Sequence, residues 1–267
     1  MKEKFENDLM LNTMMGVSMC YACHGKRATN EGVNCETCHG TTLPGKSIEE
    51  THAKKYEPGL ADLKKPDFCP KCHEMNNPIS GSAIMSVYSE WRKSDAGKKG
   101  ITCQECHMGK SGNGLSYHGF DSGVRDIGIY KDDLAVKEIK LDFPRISLLL
   151  ENRVTGHAIP ASCGTRLLVM ELSFRDVNGK EIYTLAETFT KKTELMANLM
   201  PYKVLKNSQL QSGEKRRLVF QLPLTLRGQV SEVIITLRFY EVPDEYSGDL
   251  KWANWASEPI LRQTARF

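Results

Sequence analysis

The chain has 267 residues, of which 40% are hydrophobic and 26% charged, with a formal net charge of +3. This composition is typical of a globular protein with one large or two small domains. No run of eighteen apolar residues occurs, which excludes a transmembrane helix in this sequence. The lysines form no stripe and no zinc-finger or RNA-binding motif is present, so we expect no nucleic-acid partner.

The first nineteen residues, MKEKFENDLMLNTMMGVSM, lack the continuous apolar stretch of a signal peptide. The next segment, CYACHGKRATNEGVNCETCHG, contains two Cys-x-x-Cys-His motifs, and two further copies follow along the chain. Paired cysteines also form disulfides or zinc knuckles, but neither of these needs a histidine after the second cysteine. Covalent haem attachment does, because two thiols add to the porphyrin vinyl groups and the adjacent histidine binds the iron.

Since every Cys-x-x-Cys here is followed by histidine, we expect four c-type haems. The predicted thioether cysteines are Cys20, Cys23, Cys35, Cys38, Cys69, Cys72, Cys103 and Cys106. The predicted proximal iron ligands are His24, His39, His73 and His107. Haem attachment takes place outside the cytoplasmic membrane, so we expect a periplasmic or extracellular protein whose export signal is absent from the given sequence. With eight ionised propionates, the net charge of the holoprotein would be about −5.

Residues 1–127 contain eight of the nine cysteines and six of the seven histidines, and they show little strand-like alternation. We expect a domain of loops and short helices in which the porphyrins supply much of the apolar core. One helix is predicted from about Ser82 to Ala96, with Ile84, Tyr88 and Trp91 on one face. A second short helix, from Ser47 to Tyr56, would carry His52.

Residues 128–267 contain short alternating or apolar segments separated by turn residues. The predicted strands are DLAVKEIKL, RISLLLENRV, TRLLVMELSFRD, KEIYTLAETF, RRLVFQLPL and VSEVIITLRFYEV. Between the third and fourth, Asp176-Val-Asn-Gly179 predicts a hairpin turn with positive φ. The overall prediction is therefore α+β: a loop and short-helix multihaem domain, followed by an antiparallel β-sandwich.

Three histidines remain as candidate distal iron ligands, namely His52, His118 and His157. Because four irons need a sixth ligand, at least one haem must lack a second histidine. That iron could take a methionine, Cys163 or a lysine, or its sixth position could be open to water or substrate. The candidate methionines are Met14, Met15, Met19 and Met75, for which packing against porphyrin faces is the alternative role. The corresponding alternative for Cys163 is a small buried residue on a loop of the β domain.

Two blocks of the sequence resemble parts of known multihaem cytochromes. YSEWRKSDAGKKGITCQECHMG resembles a helix followed by a haem motif, and NRVTGHAIP (residues 152–160) resembles a turn that opens a β domain. The chain is thus similar to tetrahaem c-type cytochromes, either soluble electron-transfer proteins of nitrifying bacteria or subunits of extracellular cytochrome filaments. The resemblance implies that His157 docks the β domain on the haem domain as an axial ligand, and that His118 matches the histidine following the last motif. Relatives commonly have glycine at the position of Cys163, so no role for Cys163 follows from the resemblance.

We therefore expect an electron-transfer protein that relays electrons between redox protein partners, and we find no catalytic constellation. One alternative is a haem reductase that uses an open sixth site on a small nitrogen or sulfur species. Another alternative is a homo-oligomeric subunit of a conductive extracellular filament.

Overall fold

The computed structural model describes residues 63–110, 112, 116, 132–154, 156–161, 166–195, 201–241 and 258–267. In these residues the chain consists of a few short helices followed by antiparallel β-sheets, which confirms the predicted fold class. The predicted helix at 47–56 and the first two haem motifs lie outside the described residues.

Four short helices lie in the part of the chain that holds the third and fourth motifs. They are α1 (Pro70–His73), α2 (Val87–Lys93), α3 (Asp95–Lys98) and α4 (Cys103–His107). Two 3-10 helices span Pro66–Phe68 and Leu224–Leu226. Among the described helices, none combines the length and apolar character needed to cross a membrane.

The chain divides into two compact units that each draw on more than one stretch of sequence. The described part of the first unit comprises residues 63–88, 101–110, 112, 116, 193–195 and 201–204. The described part of the second unit comprises residues 89–100, 132–154, 156–161, 166–192, 205–241 and 258–267. The predicted domain boundary between residues 127 and 128 falls outside the described residues and stays a prediction.

The first unit contains a β-hairpin that the sequence did not predict. Strands β1 (Glu74–Asn76) and β2 (Ala83–Ser86) pair antiparallel directly after the third haem motif. The buried Asn77 shapes the connection, because its side-chain oxygen accepts hydrogen bonds from two backbone amides of the turn. At the far end of the connection, the Ser82 hydroxyl accepts from the backbone N–H of Val204 at 2.9 Å.

The remaining nine strands include all six that the sequence predicted. They are β3 (Leu134–Asp142), β4 (Arg145–Asn152), β5 (Arg166–Arg175), β6 (Glu181–Phe189), β7 (Lys191–Leu195), β8 (Pro201–Asn207), β9 (Lys215–Gln221), β10 (Glu232–Glu241) and β11 (Leu261–Arg266). The order β11-β10-β5-β6 makes a four-stranded sheet, and β3-β4-β9 makes a three-stranded sheet. Strands β7 and β8 form a separate two-stranded ribbon.

The core of the second unit lies between its two larger sheets. Alternate residues of a strand point to the same face, so each sheet presents one apolar face. The core side chains of the central strands are Ile146, Leu148 and Leu150 on β4, Leu168, Met170, Leu172 and Phe174 on β5, and Val233, Ile235, Leu237 and Phe239 on β10. Because these side chains form a single cluster, the two sheets pack face to face as a β-sandwich.

The predicted helix from Ser82 to Ala96 is wrong in its extent. Its first residues form strand β2, where Ile84 is buried, and helix begins only at Val87. The helix is then interrupted at Ser94, whose hydroxyl accepts from the backbone N–H of Gly97 at 3.1 Å and caps α3. Strand pairing and this internal cap therefore outweigh the helical spacing of the apolar residues.

The predicted hairpin turn is confirmed. The Gly179 N–H donates to the Asp176 carbonyl at 3.0 Å, and Gly179 has φ +77°. The Asp176 carboxylate accepts from the backbone N–H of Asn178 and of Lys180, at 2.8 and 3.0 Å. Only the glycine adopts positive φ in this turn, so it is the residue that the turn requires.

Candidate haem-binding sites

The third Cys-x-x-Cys-His motif forms one helical turn. Cys69 precedes α1, and its carbonyl accepts hydrogen bonds from the N–H of Cys72 at 3.1 Å and of His73 at 2.9 Å. Pro70 suits the first helical position because its φ is preset and it lacks an N–H that would go unpaired there. Residues three and four positions apart are neighbours on a helix surface, so this turn gathers both thiols and the imidazole.

The fourth motif forms α4 and has a capping box at its start. The Thr102 hydroxyl accepts from the Glu105 N–H at 3.2 Å, and the Glu105 carboxylate accepts from the Thr102 N–H at 2.6 Å. The hydrogen bond from the backbone N–H of Thr102, and a second one of 2.9 Å from the Thr102 hydroxyl, hold the pKa of Glu105 below its usual value. The sequence Thr-Cys-Gln-Glu carries the capping-box signature, so this cap is predictable from the sequence alone.

Side chains near the two motifs tie their segments together within the first unit. The Gln104 side-chain amide donates to the carbonyls of Leu63 and Lys65, each at 2.8 Å. The Tyr88 hydroxyl donates a hydrogen bond to the carboxylate of Asp67, two residues before the third motif. The third and fourth motifs are therefore neighbours in space.

The first cysteines of the two motifs are in direct contact. The hydrogen bond between their thiols lowers the pKa of Cys69 to about 7 against the opposing effect of burial. The same hydrogen bond, reinforced by burial, raises the pKa of Cys103.

The described motifs fit covalent haem attachment. All four of their cysteines, Cys69, Cys72, Cys103 and Cys106, are free thiols, and each pair has its histidine in the same helical turn. The zinc alternative needs four ligands around one ion. In the part of the chain that the structure describes, no three His, Cys, Asp or Glu side chains form such a group.

His157 lies half-buried in the turn between β4 and β5, in the second unit. Its Nδ1 atom is 2.9 Å from the Ala158 carbonyl oxygen. Because a carbonyl can only accept, Nδ1 carries the proton and Nε2 has the lone pair that an iron ligand requires. The backbone N–H of Ala158 donates to the Glu90 carboxylate at 3.1 Å. This hydrogen bond connects the two blocks of sequence that resemble parts of known multihaem cytochromes.

The buried Asn152 holds the start of this turn. Its side-chain NH₂ donates to the carbonyls of Leu210 and Gln211, at 3.0 and 2.9 Å, and its side-chain oxygen accepts from the Val154 N–H at 3.0 Å. Neither Asn152 nor Glu90 was among the predicted site residues. The sequence blocks contained both, but their partners are distant in the chain.

Met75, a candidate sixth ligand, lies on β1 two residues after His73. It is paired with Met85 of β2, so the two side chains lie side by side on one face of the hairpin. Several other predicted ligands and thioether residues lie outside the described residues, and their roles stay predictions. They are Met14, Met15, Met19, Cys20, Cys23, His24, Cys35, Cys38, His39, His52, His118 and Cys163.

The chain is similar to known cytochromes in part of its sequence and in its fold. A family model described as cytochrome c3 matches residues 27–114, a stretch that covers less than half of the chain and includes three of the four motifs. None of the curated proteins matches. A solved structure, a penta-heme cytochrome c552 from Thermochromatium tepidum, is 20% identical with a TM-score of 0.67, covering 93% of this chain and 84% of that one. At this identity the likeness shows a shared fold. The family match and the shared fold together support a multihaem c-type cytochrome.

Proposed function

We propose that the protein is an electron-transfer cytochrome that carries four c-type haems and relays electrons between redox protein partners. The observation that carries the proposal is the set of four Cys-x-x-Cys-His motifs. The two described motifs support it, because each folds as the compact turn that haem attachment needs and they lie against each other. Bound haem would supply reversible one-electron chemistry at its iron.

The residues of the chain bind and orient the cofactors in this proposal. The paired cysteines form thioether bonds, and the histidine of each motif is the proximal ligand: His24, His39, His73 and His107. His52, His118 and His157 are the proposed distal ligands. The contact of His157 Nδ1 with the Ala158 carbonyl supports this assignment, because iron-binding histidines hold the ring through a hydrogen bond from the nitrogen that does not bind the metal.

The surroundings of the third and fourth motifs favour electron transfer between neighbouring cofactors. Cys69 and Cys103 are in contact, so the two attachment points lie side by side within the first unit. Close attachment points allow short distances between cofactors. We propose export to the periplasm or the extracellular space, because thioether attachment takes place outside the cytoplasmic membrane.

Counting haems in the full-length protein tests the proposal. Intact mass spectrometry of protein isolated from its native host should show the bare chain plus four haems. Cys72→Ala and Cys106→Ala should each weaken the attachment of one haem, whereas Cys163→Ala, outside every motif, should leave the count at four. A colourless protein with the mass of the bare chain would overturn the proposal.

The spectrum of the oxidised protein then distinguishes an electron carrier from a haem reductase. An electron carrier should show spectra that do not change when nitrite or carbon monoxide is added. A high-spin signal that shifts with either compound would instead favour the haem reductase.

A further inference from the structure

The turn that carries His157 is held firmly on both sides. Before His157, the Ser212 hydroxyl donates to the Val154 carbonyl at 2.8 Å. After it, Ile159 and Leu210 exchange two backbone hydrogen bonds, of 2.8 and 2.9 Å. The Gln209 side chain also donates to the Pro160 carbonyl. These contacts fix the two ends of the turn. The conformation at its middle therefore depends on the contacts of residues 157 and 158.

Ala158 joins Glu90 to the imidazole of His157. Its N–H donates to the Glu90 carboxylate at 3.1 Å, and its carbonyl accepts from His157 Nδ1 at 2.9 Å. Ala158 is 1% exposed, so water cannot replace the carboxylate as acceptor for this N–H. The backbone of Ala158 therefore links the Glu90 carboxylate to the histidine ring.

Glu90 is held in place by the helix that carries it. It lies on α2, whose C-terminal end is capped at Ser94: the Ser94 hydroxyl donates to the Trp91 carbonyl at 2.7 Å and accepts from the Gly97 N–H. Gly97 is packed tightly against α2, since an added Cβ atom would lie 2.1 Å from the Trp91 oxygen. The carboxylate is thus presented from a short, well-braced helix.

We propose that Glu90 is a positioning residue that orients His157 as an iron ligand through the backbone of Ala158. This inference rests on the proposed function, in which His157 is a distal haem ligand. Outer hydrogen bonds of this kind fix the ring orientation of metal-binding histidines.

The test compares Glu90→Ala, Glu90→Asp, Glu90→Gln and His157→Ala in the full-length holoprotein. Low-temperature electron paramagnetic resonance reports the iron spin states, and intact mass reports the haem count. In His157→Ala one low-spin signal should be lost or shifted with no change in haem count. Glu90→Ala and Glu90→Asp should broaden or shift the same signal and leave the others unchanged. Glu90→Gln should resemble the wild-type protein, because its amide oxygen can still accept from Ala158.

Arg92→Ala is the matched control, since Arg92 is an exposed residue on the same helix and should leave every signal unchanged. Glu90→Asp keeps the charge but shortens the side chain, so it carries the test if Glu90→Ala does not fold. An effect of His157→Ala with none from Glu90→Ala or Glu90→Asp would overturn the role of Glu90 and leave the proposed function standing. The same holds if Glu90→Gln behaves as Glu90→Ala. Unchanged signals in His157→Ala would overturn the ligand assignment and the inference with it.

Discussion

Replacing Asn152 with alanine should destabilise the second unit strongly. Asn152 is 1% exposed, and its side chain makes three hydrogen bonds, to Leu210, Gln211 and Val154. Both carbonyls also accept a backbone N–H from elsewhere, so only the Val154 N–H would lose its single recorded partner. Two lost hydrogen bonds and one unsatisfied donor together amount to about 2–6 kcal/mol.

Urea denaturation of the holoprotein at pH 7, followed by far-UV circular dichroism, measures this loss. Asn178→Ala is the control, because Asn178 is exposed on the 176–179 hairpin turn; it should change the unfolding free energy by less than about 0.5 kcal/mol. A loss below about 1 kcal/mol for Asn152→Ala would refute the reasoning, because it would mean that the three hydrogen bonds contribute almost nothing net.

Asn152→Asp adds a dependence on pH to the same experiment. The new carboxylate would face two carbonyl oxygens, so its folded pKa would be raised above the unfolded value of about 3.9. A raised carboxyl pKa means that the folded state binds the proton more tightly. The variant should therefore be most stable at low pH relative to the wild type and lose stability as the pH rises. If the stability difference between Asn152→Asp and the wild type stayed constant as the pH rises, this result would contradict the assignment of the NH₂ group to the two carbonyls.

Two further predictions concern stability and use the same denaturation assay. Gly97→Ala should cost about 2–4 kcal/mol, because its Cβ atom would clash with the Trp91 oxygen, whereas Gly109→Ala, with open space around it, should be nearly neutral. Burial raises the pKa of Glu214, but the hydrogen bonds from Arg216, the hydrogen bond from the Gln211 N–H and the positive charge of Arg216 together outweigh this and leave the pKa below its ordinary value. The resulting stabilisation is present above the unfolded pKa, about 4.3, and is lost as the pH falls through the folded value; Glu214→Gln should therefore flatten the acid side of the stability curve.

Most of the β region was predictable because its strands bury one face. Alternating apolar residues identified six strands, and the Asn-Gly pair at 178–179 identified a hairpin turn. Strands β7 and β8 were missed since residues 191–207 are rich in lysine and lack a regular apolar face. Strand β11 was missed because its alternate residues are only partly buried against β10.

Only those features of the candidate site that involve residues close together in the sequence were predictable. The spacing of cysteines and histidines is local, and it identified the third and fourth motifs, each of which forms one short helix. The contact between Cys69 and Cys103, and the hydrogen bond between Glu90 and Ala158, join residues far apart in sequence. Such pairs depend on the tertiary fold, which no periodicity or motif spacing encodes.

The two units differ in how many apolar side chains their described residues bury. Among the described residues of the first unit, Ile84 is the one buried hydrophobic side chain, whereas the second unit has a large shared core. The apolar surface that these described residues bury is too small to offset the conformational entropy lost on ordering them. In the proposed holoprotein, porphyrins attached at the four motifs would supply the missing apolar surface. The sandwich, which has its own core, would then hold the His157 turn rigid independently of the haems.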